Sequence, residues 1–150
     1  MMKDWDAMVN GVMGKFKHMP EAMWPREIDH VEYSEVYRAT KSEEVLAVAD
    51  FLPWNVEYEK QRTTFRNTFK QPEYGMSVFT DLNDLKKTVC RFPALNKSTK
   101  AFARGFTTIK RGVSLRENEN HHVEYYLYDY ENNSPKDDFT IVEVRSEHGK

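Results

Sequence analysis

Cysteine is almost absent from this chain: Cys90 is the only one in 150 residues. No internal disulfide can form, which fits a reducing compartment. Cys90 itself reads as a small core residue on an amphipathic helix. Long apolar runs are absent too. None approaches the roughly 18 residues that span a bilayer, so no membrane role is expected. The N-terminal stretch is broken by charges and has no continuous apolar core, so it does not read as a signal peptide. The chain is expected to stay in the cytoplasm. Internal repeats, low-complexity tracts and Gly/Ser linkers are missing, as are P-loop and dinucleotide glycine patterns. The sequence requires no bound cofactor. His121 and His122 are adjacent and point oppositely on a strand. No second His or Cys lies at ligand spacing, so no metal is expected.

Aromatic residues, by contrast, are plentiful: nine Phe, eight Tyr and three Trp. This supply argues against disorder. The length suits one domain, residues 1–150, which can bury about two-thirds of its unfolded surface. The net charge of −2 conceals a division. Residues 60–116 hold 13 Lys and Arg against three acids, net +10; the remainder is net −12. A charge split of this kind produces a field that steers anionic partners.

The spacing of Trp5, Met8, Val12, Met13 and Phe16 predicts a helix over 4–18, capped by Asp4. Six of the seven Met fall in the first 23 residues. Residues 1–20 therefore read as a Met-rich segment suited to a partner or homodimer contact. Residues 31–40 read as a strand. Ser42 is placed as the cap of a short helix, and 53–60 as irregular. Residues 74–80 read as a strand. Thr80 or Asp81 then caps a helix to about Phe92, with Leu82, Leu85 and Val89 on its apolar face and Pro93 as its stop. Three β-rich runs follow at 101–110, 122–130 and 139–145. The expected class is α+β: an antiparallel or mixed sheet of about 4–6 strands, with 2–3 helices packed mainly on one face.

Four groups of residues carry candidate chemistry. In KQRTTFRNTFK, Arg62, Arg66 and Lys70 are four apart, so they share a face on a helix or a strand alike. Such a stripe suits phosphates or carboxylates. In STKAFARGFTTIKRG, one strand face would present Lys100, Phe102, Arg104, Phe106, Thr108 and Lys110, with Arg111 following. Alternating cations and aromatics make a stacking platform for single-stranded nucleic acid. Arg104-Gly105-Phe106 begins like an RNA-recognition signature, but too few residues precede it for the strand that motif needs. In HHVEYYLYDY, Tyr126 and Tyr128 offer aromatic contacts with polar tips. Finally, some ADP-ribosyl-transfer enzymes use an Arg on an early strand, a Ser on a middle strand and a Glu entering a late one. Arg38, Ser77 and Glu119 resemble that order. The resemblance implies that Arg38 holds a phosphate of NAD, Ser77 orients the Arg side, and Glu119 stabilises an oxocarbenium-like centre. Ser77 and Ser114 lack the sequence context of a nucleophile elbow.

Sequence patterning favours binding over catalysis. The expected function is a small cytosolic regulatory protein, of inhibitor or immunity type in microbial or phage–host conflict. It would dock its basic middle third on an acidic protein or nucleic acid. An NAD-consuming transferase and an assembly subunit using the N-terminal helix are the alternatives.

Overall fold

The computed structural model describes residues 16–25, 30–61 and 69–145. Six strands form one sheet: β1 (Val36–Thr40), β2 (Met76–Phe79), β3 (Ala101–Gly105), β4 (Gly112–Ser114), β5 (His122–Leu127) and β6 (Phe139–Val144). Their spatial order is β4-β5-β2-β1-β3-β6, and every neighbouring pair is antiparallel. Among the described residues, three α-helices accompany the sheet: α1 (Trp54–Gln61), α2 (Leu82–Arg91) and α3 (Pro93–Ser98). The class is α+β, as the sequence predicts. Among the described residues no helix is long and apolar enough to cross a membrane.

The α2 helix forms for the reasons legible in its sequence. The Asp81 carboxylate accepts a hydrogen bond from the Asp84 N–H at 3.0 Å, satisfying an otherwise orphaned donor. Leu85 and Val89 lie four apart and are buried against Phe79 and Phe102. Cys90 points the other way and is exposed, which corrects its placement in the core. Pro93 does stop α2, but it also opens α3, where its missing N–H costs nothing.

Other expectations are corrected. Ser42 caps no helix. Its hydroxyl donates to Asp50 Oδ2 at 2.6 Å, and the same carboxylate takes the N–H groups of Lys41, Ser42 and Ala47. Asp50 is 3% exposed, and these bonds satisfy it. They organise a loop over 41–47 that runs into a short 3₁₀ turn at Val48–Asp50. The 53–60 stretch is not irregular: α1 starts at Trp54, with Trp54 stacked on Tyr58 one turn later at 5.2 Å. The run 101–110 is a strand only to Gly105, and the sheet resumes at β4. The expected helix at 4–18 lies almost wholly outside the described residues. At its end, Phe16 and Met19 pack into a cluster with Trp24, Phe69, Tyr74, Tyr126 and Tyr128 of this same chain.

The two sheet faces are furnished differently. One carries Val36, Met76, Val78, Ala103, Val123, Tyr125 and Leu127, covered by Phe51 and Phe139. The other is covered in two separate places. Towards β3, α2 packs over Phe79 and Phe102. Towards β4, the 16–24 and 69–74 segments pack over Val113 and Tyr126. Between those clusters, the alternation of side chains leaves Ser77, His122 and Glu124.

The ladder is also uneven. Five residue pairs register β1 with β3, and four register β2 with β5. Only Tyr37 and Phe79 register β1 with β2. The sheet is therefore two half-sheets, β4-β5-β2 and β1-β3-β6, with a seam between them.

Candidate functional site

The seam is filled by Arg38. It sits on β1, on the face opposite the Ser77 hydroxyl. Its Nε donates to the Asp50 carbonyl at 2.8 Å, Nη1 to the Ser77 carbonyl at 2.8 Å and Nη2 to the Leu52 carbonyl at 3.4 Å. Glu57 is the carboxylate beside it, at 3.7 Å, and the Arg38 side chain is only 11% exposed. Burial pushes the guanidinium's pKa down, and the neighbouring Glu57 and Asp50 charges push it back up. A guanidinium is donor-only, so a ring of carbonyl oxygens suits it. Here it replaces ladder hydrogen bonds that β1 and β2 do not make.

Across β2 and β5, Ser77 pairs directly with Glu124, and Phe79 with His122. The Ser77 hydroxyl lies 2.8 Å from His122 Nε2. The other ring nitrogen, Nδ1, lies 3.5 Å from Glu124 Oε2. His122 and Glu124 are 23% and 24% exposed, so solvent reaches both. Burial pushes the Glu124 carboxyl up to about 7 and the His122 imidazole down. Phe79 lies against the His122 ring at 5.2 Å. Gly75, the residue opposite Tyr126, makes room for the carboxylate: a Cβ there would sit 2.7 Å from Glu124 Oε1. A partly exposed carboxyl that titrates near neutrality, beside an imidazole and a hydroxyl, can move protons in either direction.

Of the three residues in the ADP-ribosyl-transfer resemblance, the fold brings two together. Arg38 grips the backbone of Ser77. Glu119 is exposed in the turn before β5. Among the described residues no hydrogen bond or ion pair joins it to either. Glu124 instead stands in register with Ser77. The signal for it was present in HHVEYYLYDY, where alternation puts His122 and Glu124 on one face. The partner strand that gives this face its meaning is some 45 residues away in sequence, at Ser77.

The basic residues are dispersed. Arg62 and Arg66 lie outside the described residues. Lys70, Lys100, Arg104 and Lys110 are exposed. The proposed strand face does not extend as drawn, because β3 ends at Gly105 and Phe106, Thr108 and Lys110 leave it. Arg111 is not a free cation: Asp138 takes its Nε at 3.0 Å and Asn133 its Nη1 at 2.7 Å. Phe102, Tyr126 and Tyr128 are core residues, at 3%, 1% and 1% exposure. This corrects their assignment as aromatic contacts; packing against α2 and the 16–24 segment claims them. Phe106 remains exposed. Lys70, Arg104, Lys110 and Arg116 are exposed at separate places, while four further exposed cations, Lys87, Arg91, Lys97 and Lys100, lie on α2, α3 and the approach to β3, with exposed Phe92 between the helices.

His121 turns away from His122, at φ 64°, and its Nδ1 meets Asp84 Oδ2 at 2.6 Å. Asp81, Asp84 and His121 bring ligand-type atoms within 4.8 Å of one another. Asp81 is committed to capping α2, and the group reads as a helix-start network.

No family model matches the chain, and neither the curated proteins nor the solved structures contain a match to it.

Proposed function

We propose that the face of β2 and β5 beside the seam houses the active site of an enzyme that transfers the ADP-ribosyl group of NAD, with Glu124 in the role first assigned to Glu119. One observation carries this reading: Arg38, Ser77 and Glu124 come from β1, β2 and β5, three neighbouring strands, with Ser77 in register with Glu124. That is the Arg, Ser, Glu order of the resemblance, now with a carboxyl beside the serine. Glu124 as carboxylate would stabilise the oxocarbenium-like ribose and accept a proton from the incoming hydroxyl or water. Arg38 does not hold a cofactor phosphate in this account. It is buried and bonded to three carbonyls, so it acts by fixing the Ser77 backbone. The assay is release of nicotinamide from NAD. Glu124→Gln should lower the rate by about 100-fold, the scale of a lost acid–base group. A wild-type protein that releases no nicotinamide, or a Gln variant that releases it as fast, sinks the reading.

A second reading has its own observation. Lys87 and Arg91 are four apart on one helix, and with Lys97 and Lys100 they are exposed without ion pairs among the described residues. Unpaired cations beside an exposed Phe92 suit a cytosolic docking protein for an anionic macromolecule. Affinity for a short single-stranded oligonucleotide should fall with salt, log K against log [salt] sloping at about −0.7 per phosphate contacted. A flat plot excludes nucleic acid and leaves an acidic protein as the docking partner.

A further inference from the structure

Glu124 has a problem that the fold addresses. A carboxyl in a half-buried site that takes a proton in each turnover must lose it again before the next. The route away from Glu124 is set by what faces it. Gly75, diagonally across from it and close to Oε1, offers no side chain. Tyr126, next on the same face of β5, is buried, and its phenol's pKa is pushed up by burial and by Glu124. It holds its proton and cannot accept another. Among the described residues, the titratable group beside it that can take the proton is His122, two residues back on the same face, with Nδ1 3.5 Å from Glu124 Oε2. The Asp84–His121 pair sits beyond the turn and is closed on itself at 2.6 Å.

The hydroxyl of Ser77 completes the arrangement. It lies 2.8 Å from His122 Nε2. A serine hydroxyl both donates and accepts; in the tautomer with Nε2–H donating to Ser77 Oγ, the neutral ring carries its lone pair on Nδ1, the nitrogen that faces Glu124. Ser77 Oγ can accept from Nε2–H, so the contact accommodates the tautomer that receives a proton from the carboxyl. Phe79 flanks the ring and holds its orientation.

We propose that His122, its ring placed between Ser77 and Glu124, is the positioning residue and proton outlet of Glu124; this rests on the transfer reading above. The step balances as follows. The acceptor oxygen, of a hydroxyl or of water, bonds to ribose C1′ while the bond from C1′ to the pyridinium nitrogen breaks. The electron pair of that bond leaves with neutral nicotinamide. The acceptor's proton passes to the Glu124 carboxylate, then to His122 Nδ1, and the imidazolium returns it to solvent across the ring's exposed part. Nothing is oxidised or reduced. Burial depresses the imidazole's basicity, which favours that final release and makes the transfer from Glu124 to Nδ1 the uphill step.

The test has two arms. In the first, nicotinamide release is followed against pH for wild type, Ser77→Ala and His122→Gln, each first shown by circular dichroism to be folded. His122→Gln should lower kcat by about tenfold or more, leave KM for NAD within about twofold, and remove one titration from the pH–rate profile. A purely structural role would move KM and kcat together and leave the profile's shape. In the second, the His122 ring is titrated by NMR in wild type and Glu124→Gln, with no substrate present. Its midpoint should differ by about half a pH unit or more between the two, because a shared proton couples the groups. A His122→Gln profile identical to wild type, or an imidazole titration indifferent to residue 124, overturns the proposal. A wild-type protein inert towards NAD overturns the transfer reading, and the NMR arm then decides by itself whether His122 and Glu124 share a proton.

Discussion

Arg38 and Glu124 are both ionisable side chains withdrawn from water, yet they are treated in opposite ways. Arg38 is given carbonyl partners for its Nε, Nη1 and Nη2 atoms. A buried charge that is hydrogen-bonded throughout is a structural element. Glu124 receives the His122 ring at 3.5 Å, and burial pushes its carboxyl up to about 7. A group left in such a state costs stability, and the sign of that cost fixes a prediction. The folded carboxyl's pKa lies above its ordinary value of 4.5, so the folded protein binds the extra proton between pH 4.5 and 7. Below 4.5 the group carries no penalty. As pH rises through 7 the folded state loses about 2 to 3 kcal/mol relative to a neutral residue. Glu124→Gln should therefore match wild type in urea stability at pH 4.5 and exceed it by about that amount at pH 8. Equal stabilities at pH 8 would mean that the carboxyl is not held out of water. His18, buried with neither ring nitrogen bonded among the described residues and pushed down to about 4, acts in the opposite direction. It destabilises on acidification from pH 6.5 towards 4, so the comparison must be made between variant and wild type at each pH.

At the scale of elements, the sequence was most informative where the determinants are local. The α2 helix was readable from Asp81, from Leu85 and Val89 at a spacing of four, and from Pro93, because a cap, a stripe and a stop all lie within a dozen residues. Strand β5 was readable from its alternation and its β-branched and aromatic content. The α1 helix was not. Its apolar residues Trp54, Val56 and Tyr58 fall at every second position, a strand-like rhythm, and the helix is held by contacts such as Trp54 on Phe69 that only the fold supplies. Strand β4 is three residues long and owes its place to pairing with β5. The Ser42 expectation failed because Asp50, eight residues on, competes for the same hydroxyl and backbone groups. The candidate site was half legible. Arg38 and Ser77 were picked out in chain order. Glu124 and His122 were not, because register between β2 and β5 is a long-range property that no local pattern encodes.

At the scale of the molecule, the crossing order β4-β5-β2-β1-β3-β6 places the first two strands in the middle and then lets them part. Arg38 seals the gap from one face; Ser77, His122 and Glu124 occupy the other, between the cluster under α2 and the cluster under residues 16–24. The charge division legible in composition survives on the surface in a different place from the one drawn along β3. Four of its exposed members, Lys87, Arg91, Lys97 and Lys100, lie on and beside the helices that cover one flank of the same face. Such a field can hold an anionic substrate or acceptor near the seam. The account stands on the claim that NAD binds there with its ribose against Glu124. A crystal structure with a non-cleavable NAD analogue tests it most directly. The ribose C1′ should lie about 3 to 3.5 Å from a Glu124 carboxylate oxygen, the separation of groups poised to react. Density for the analogue elsewhere on the molecule, or none at saturating concentration, would contradict it.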